Sequence, residues 1–343
     1  MKIVVRATNW VGDAIMAIPA LNAIRGRWPD AEIVALARPW VAGLYDGQPF
    51  VDRVIPLASS GGLGDWGATE QVANSLRLEQ FDAAVLLPNS FSSAWLAWRA
   101  GIPRRIGYAR DGRSLLLTQA IAPPRAGEIP AHESYYYLNL LRNAGWLITL
   151  PEVREIRLEI LPKERDAAEA KLQAEGAAPG AMLIAIAPGA AYGSAKCWPP
   201  ERFAAVASQF IEEFHAAVIL FGTSSEQEIC SRIAAAMPTT PINLAGRTAI
   251  SDLPALLASC QLFVGNDSGA MHVAAAAEVP VVGVFGPTDP NDTAPVTSRG
   301  AIVREPVFCS PCFLRKCPID HRCMTRVDVA TVYAAGRGLL ERA

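Results

Sequence analysis

The stretch that most constrains this chain is residues 261–290, QLFVGNDSGAMHVAAAAEVPVVGVFGPTDP. An apolar run at 262–264 ends in Gly265-Asn266-Asp267-Ser268-Gly269. A small-residue helical pattern follows over 270–277. A second apolar run, 279–285, then ends in Gly286-Pro287-Thr288. The order is strand, turn, helix, strand, loop. In such a unit the helix starts at the carboxyl end of the sheet, where α/β proteins bind ligands. Free backbone N–H groups and the positive end of the helix dipole make that start an anion site. Asp267 and Ser268 have a second reading there, as an N-cap and nothing more.

The same alternation runs through both halves of the chain. Strands are expected at 2–6, 32–37, 51–56 and 82–87, with helical patterns at 39–46, 66–80 and 91–100. A helix over 13–28 is expected to bend at Pro19. Residues 59–68, SSGGLGDWGA, are Gly-rich and read as a surface loop. Residues 150–165, LPEVREIRLEILPKER, read as an extended connector that ends one domain. Strands are expected again at 182–187, 217–221, 262–264 and 281–285, with helices at 201–214, 226–237 and a final one at 327–340. Strand–helix alternation implies parallel βαβ units. The expected division is 1–160, 161–325 and a C-terminal helix in 326–343, with the option that this helix packs back on the first domain.

Composition narrows the function classes. The 343 residues suffice for two domains of ordinary size, and half of them are hydrophobic. The net charge of −2 gives no reason to expect nucleic acid as a partner. No run of 18 apolar residues is present, so a spanning helix is not expected. The opening Met1-Lys2-Ile3-Val4-Val5-Arg6 has too short an apolar core for a signal peptide, so a cytoplasmic location is expected. Of seven cysteines, four crowd into C-x2-C-x4-C-x5-C: Cys309, Cys312, Cys317 and Cys323, with His321 nearby. Disulfides are not expected in an unexported chain. The spacing reads either as a structural zinc site or as a reduced structural loop.

Several side chains sit where chemistry happens in such a fold. Asp13, after the first strand, is either an N-cap carboxylate or a base at the mouth of the sheet. Residues 187–198, APGAAYGSAKCW, follow a strand, and their Gly and Ala content lets backbone approach a pyrophosphate, with Gly189 and Ala190 nearest the strand end. Lys196 in that loop is either a solvated lysine or a charge for a departing anion. Glu226, with Glu228 as the alternative, is a helix-start acid or a ribose contact. His272, four positions after Ser268, reads first as a packed histidine and second as a phosphate or sugar contact. Between Arg99 and Arg125 lie six arginines and one acid, Asp111. They form either a solvated face or a patch for an anionic substrate, since arginine forks bind phosphate and carboxylate. Trp95 and Trp98 read as core packing or as contacts to sugar or lipid.

Taken together, Asp-Ser-Gly-x-Met-His-x-Ala-x-Ala and Phe-Gly-Pro-Thr resemble the signature of glycosyltransferase family 9, the lipopolysaccharide heptosyltransferases. Trp10-Val11-Gly12-Asp13, Leu87-Pro88-Asn89-Ser90-Phe91, Ala100-Gly101-Ile102-Pro103, Pro188-Gly189-Ala190 and Lys196-x-Trp198-Pro199 follow the same pattern in order. The resemblance implies a GT-B fold, two Rossmann-like domains facing a central cleft. It implies an inverting transfer of L-glycero-D-manno-heptose from ADP-heptose to a heptosyl-Kdo-lipid A acceptor of the inner core, on the cytoplasmic face of the inner membrane with peripheral contact. It matches Asp13 to the general base and Lys196 to a stabiliser of the leaving ADP. Gly189, Ala190, Glu226, Asp267, Ser268, Gly269 and His272 fall to the donor, and Arg105 and Arg110 to the acceptor. No cofactor and no catalytic metal are expected. The alternatives are another heptosyltransferase of the family, a nucleotide-sugar 2-epimerase, and a non-catalytic nucleotide-sugar binding module.

Overall fold

Two parallel six-stranded sheets organise the chain. The computed structural model describes residues 1–58 and 66–342, so most of the Gly-rich stretch 59–68 lies outside the described residues. The first sheet contains β1 (Lys2–Arg6), β2 (Glu32–Ala37), β3 (Arg53–Pro56), β4 (Ala83–Leu86), β5 (Arg104–Tyr108) and β6 (Gln119–Ile121), in the order β3-β2-β1-β4-β5-β6. The second contains β7 (Leu183–Ala187), β8 (Ala217–Leu220), β9 (Ile242–Asn243), β10 (Leu262–Asn266), β11 (Val281–Phe285) and β12 (Gly300–Arg304), in the order β12-β11-β10-β7-β8-β9. Every pairing is parallel. Central strands β4, β7, β10 and β11 are buried along their whole length, because helices cover both faces of a parallel sheet. That is why they read as unbroken apolar runs.

The topology places the sites. In each sheet the chain walks outward from its first strand, then returns to the other side of that strand. The carboxyl ends of β1 and β4, and of β7 and β10, therefore border a topological switch point. Ligands of open α/β sheets bind there.

The expected helix over 13–28 is two helices, Val11–Met16 and Ile18–Arg27, joined at Ala17. Pro19 sits in the first turn of the second, where its missing N–H costs no bond. The two compact units are Met1–Val153 and Arg154–Ala343, a boundary earlier than the expected 160. The reason lies in the connector: Ile156 and Leu158 are buried, and their N–H groups donate to Val296 O (3.3 Å) and Ala276 O (2.9 Å) of the second unit. The last helix, Val329–Leu340, also belongs to the second unit and packs on the Pro200–Phe214 helix and on β10–β12. Phe210 and Tyr333 rings lie 4.9 Å apart there, and Gly336 admits the approach because a Cβ would fall 2.6 Å from Phe210.

Candidate functional site

The second switch point is built by one buried amide. Asn266, the last residue of β10, is fully buried. Its Nδ2 donates to Pro188 O (2.6 Å) and its Oδ1 accepts from Trp198 N (3.0 Å). Both ends of the 188–198 loop are thereby tied to β10. Sequence reasoning passed over Asn266; the signal was an amide closing an otherwise apolar strand.

That tie brings Lys196 to Asp267. Lys196 Nζ lies 2.6 Å from Asp267 Oδ2, and Thr288 Oγ1 donates to the same oxygen at 2.6 Å. The side chains are 11% and 4% exposed, so the pair is shielded from solvent. Asp267 is therefore neither an N-cap nor a bare contact for an anion; its charge holds Lys196 in place. Ser268 occupies the N-cap of the Gly269–Ala276 helix, yet makes no side-chain cap bond. Its buried Oγ has no hydrogen-bond partner among the described residues. The backbone donors of Gly269 and the next residues thus start a helix with no side-chain cap. His272 is buried within that helix.

Gly189 and Glu226 meet from the ends of β7 and β8. A Cβ at Gly189 would lie 1.8 Å from Glu226 Oε1, so only glycine leaves the carboxylate room. Glu226 Oε2 accepts from Thr223 N (2.7 Å) and Thr223 Oγ1 (2.9 Å), which caps the turn at Ser224–Glu226. The helix-start reading holds for this residue, whose other carboxylate oxygen faces Gly189. Glu228 lies in the first turn of the Gln227–Ala236 helix. Ala190 is half-buried in the loop beyond Gly189. Burial first, and the Glu226 charge second, push the nearby Cys197 thiol up.

The cysteine loop braces this assembly. Tyr192 donates from its hydroxyl to Phe313 O (2.6 Å), Ala195 N donates to Arg315 O (3.1 Å), and His321 Nε2 donates to Ala195 O (2.7 Å). Gly193 is required, because a Cβ there would lie 2.2 Å from Arg315 O. Ser310 Oγ donates to Gly286 O (2.6 Å) and Cys312 N to Pro287 O (3.0 Å). The loop thus joins the segment carrying Lys196 to the segment carrying Thr288. Among the described residues no group of three or more His, Cys, Asp or Glu side chains is placed to hold a metal ion. Cys309 and Cys317 are half-buried, Cys312 is exposed and Cys323 is buried. Burial, then the neighbouring thiols, push Cys323 up to about 11, so it stays a neutral thiol near pH 7.

In the first unit Asp13 lies in the first turn of Val11–Met16, half-buried, with no side chain capping that helix. Its charge reaches two buried phenols, Tyr45 and Tyr137; burial first and Asp13 second raise both above the ordinary tyrosine value. Tyr45 donates to Ala14 O (2.8 Å), which pins the helix beneath Asp13.

The arginine stretch is not one patch. Arg99 forms a two-bond pair with Glu70 (2.8 and 3.1 Å). Arg105 donates to Leu116 O (2.7 Å) and to the Ile102 carbonyl, so the expected acceptor fork is a backbone brace. Arg113 is fully buried on the Tyr108, Pro88 and Ser90 carbonyls and the Ser93 hydroxyl; burial lowers it to about 10. Arg110 is exposed just beyond β5, at the carboxyl end of the sheet. The Trp95 and Trp98 rings lie 5.0 Å apart at a 40° tilt on the Phe91–Arg99 helix, and Trp98 is exposed.

Comparison with known proteins agrees with this architecture. Residues 70–322 match Glycosyltransferase family 9 (heptosyltransferase). The chain is 32% identical over 313 residues to "Lipopolysaccharide heptosyltransferase 2" of Escherichia coli K12, covering 89% of this chain and 88% of that protein. The solved structure of E. coli ADP-heptose lps heptosyltransferase II superposes with a TM-score of 0.84 at 30% identity, over 100% of this chain and 99% of that one. A family 9 glycosyltransferase structure from Veillonella parvula gives a TM-score of 0.85 at 23% identity, covering 100% and 97%, and supports the fold. The α/β fold is of the GT-B type. With two Rossmann-like units and the family's motifs at both switch points, the chain belongs to glycosyltransferase family 9, the heptosyltransferases.

Proposed function

We propose that this glycosyltransferase moves L-glycero-D-manno-heptose from ADP-heptose to the heptosyl-Kdo-lipid A inner core of lipopolysaccharide, with inversion and without a metal. The observation that carries this reading is the shielded Lys196–Asp267–Thr288 cluster beside the Ser268-started helix. It offers one fixed ammonium and a row of backbone donors to a diphosphate. Charge grows on that diphosphate as the sugar leaves, and fixed donors stabilise it without reorganising. They also provide the positive charge that a divalent ion would otherwise provide.

Gly189 and Ala190 let the backbone come close to the diphosphate, and Glu226 faces the ribose. Gly269 and Ser268 supply donors, and His272 supports the helix start. Asp13 takes the proton of the acceptor hydroxyl as oxygen attacks the anomeric carbon from the face opposite ADP. Arg110 meets the anionic acceptor. Because that acceptor is lipid-anchored, the enzyme works in peripheral contact with the cytoplasmic face of the inner membrane. No helix among the described residues is long and apolar enough to cross a membrane.

The test is incubation with ADP-heptose, with and without a truncated core acceptor. Acceptor-dependent release of ADP supports the transfer. Sugar isomerisation without acceptor would indicate the epimerase class, and binding with no turnover would indicate a binding module. Acceptors of the other heptosyltransferase types, run in parallel, identify the acceptor class.

A further inference from the structure

A pocket in the first unit has no role in the reading above. Arg6, Arg38, Leu57, Thr69, Ser92 and Ser93 line most of it, and it encloses about 20 Å³. A water needs about 10–15 Å³ by the same kind of measure, so the pocket takes a small polar group and no sugar ring. Arg6 ends β1, Arg38 follows β2, Leu57 follows β3, and Ser92 and Ser93 open the Phe91–Arg99 helix after β4. The pocket therefore lies on the carboxyl side of the sheet, at the switch point between β1 and β4.

Its buried cation, Arg6, meets only neutral acceptors among the described residues. Arg6 is only 5% exposed. It donates to Asn9 Oδ1 (2.5 Å), to Leu36 O (3.5 Å) and to the Ala7 carbonyl, all neutral acceptors. Among the described residues no carboxylate pairs with it. Arg38 reaches Leu57 O at 3.4 Å. Burial first, and Arg38 second, lower Arg6 to about 10. A buried cation is ordinarily offset by an opposite charge. The start of the Phe91–Arg99 helix adds the positive end of a dipole on the same side.

We propose that this pocket binds one oxyanion, a carboxylate or phosphoryl group of the acceptor. Guanidinium forks and serine hydroxyls suit both groups. The identity of the carrier rests on the transfer reading; the anion site does not. Arg6 also links the pocket to the base. Asn9, which it holds, lies in the loop before Asp13, and Trp40 Nε1 donates to Asn9 O (2.8 Å) on the other side. An anion seated on Arg6 and Arg38 anchors the acceptor beside the chain segment that presents Asp13.

The test uses the full chain and three probes: inorganic phosphate, the free Kdo sugar acid, and ADP as reference. Binding is read by thermal shift and by ³¹P NMR for phosphate. In the wild type, phosphate or the sugar acid binds saturably; the tighter of the two identifies the group as phosphoryl or carboxylate. Arg38→Gln, at the half-buried edge of the pocket, weakens that binding about tenfold, as for loss of one charge-assisted contact. Ser92→Ala weakens it less, Arg6→Lys retains part of it, and ADP binding stays within about twofold in all three. Acceptor KM rises with the anion Kd while kcat holds. Equal anion binding by the wild type, Arg38→Gln and Ser92→Ala overturns the proposal. Should heptose transfer be absent while Arg38→Gln still loses anion binding, the transfer reading fails and the pocket stands. Should transfer occur with unchanged anion binding and unchanged acceptor KM, the pocket fails alone.

Discussion

The two switch points share a topology and differ in how their charge is closed. At the end of β7 and β10 the lysine is matched by a buried aspartate 2.6 Å away, and a threonine hydroxyl completes the carboxylate. At the end of β1 and β4 two arginines face each other, and Arg6 has only neutral oxygens. The first arrangement is neutral when empty and holds its ammonium in one orientation. That suits a group whose negative charge increases during reaction, because the stabilising dipole is already aligned. In the second, Arg6 meets only neutral oxygens among the described residues, which suits a ligand whose charge does not change. On the readings proposed above, one fold used twice would separate a site for a leaving group from a site for an anchor.

The comparison breaks most sharply at Asp13 of the first unit, the residue proposed as the base for the acceptor hydroxyl. Asp13→Asn keeps the shape and removes the base. Turnover should fall on the order of 10²–10⁴-fold. Donor affinity, measured by calorimetry with ADP, should be unchanged, because the diphosphate is held by the other unit. Near-wild-type turnover in the purified variant would reduce Asp13 to a helix-start charge.

Next comes the ion pair. Lys196→Ala should lower kcat by roughly 10²–10³, the loss usual for one fixed donor to a developing anion. Asp267→Asn should also lower kcat, because it frees Lys196 from its orientation. The double variant should lose less than the product of the single losses, since the two act as a unit. EDTA should leave wild-type activity intact. Activity that is lost in chelator and restored by magnesium would assign the leaving-group charge to a metal.

This pair also shows where the sequence stopped being legible. β10, the helix after it and β11 were readable because each is an unbroken apolar or small-residue run bounded by turn residues. The pairing of Lys196 with Asp267 spans 71 positions and has no local signature. β5 was hidden because it opens on Arg104-Arg105 within an arginine-biased stretch, so charge masked a strand that is buried in its last three residues. β6, β9 and β12 are short or partly exposed edge-side strands with weak patterns. A side chain that turns back on nearby carbonyls, as Arg105 does, looks in sequence like any solvated arginine.

A smaller effect separates the two duties of Glu226. Thr223→Ala removes the capping partner and should cost about 1 kcal/mol of stability with donor KM unchanged. Glu226→Gln keeps part of the cap and removes the charge proposed to face the ribose, so donor KM should rise about tenfold at constant acceptor KM. If both variants change only the melting temperature, Glu226 is a helix-start acid alone.

The smallest effect is expected at the arginines, and it sharpens what the first unit's positive charge is for. Arg110 is exposed at the carboxyl end of the sheet, whereas the Arg105 guanidinium is spent on backbone carbonyls. Arg110→Ala should therefore raise acceptor KM a few-fold and leave donor KM alone. Arg105→Ala should leave both KM values alone and cost about 1 kcal/mol of stability, since the carbonyls it served are only partly shielded and water replaces much of the bond. Added salt weakens acceptor binding by the wild type, because exposed charges are screened beyond about 8 Å at physiological ionic strength. The salt dependence should be shallower in Arg110→Ala and unaltered in Arg105→Ala. A KM effect at Arg105 that equals the one at Arg110 would mean that the brace opens when acceptor binds. Identical kinetics and salt dependence in the wild type and Arg110→Ala would leave the Arg6–Arg38 pocket as the anionic anchor of this unit.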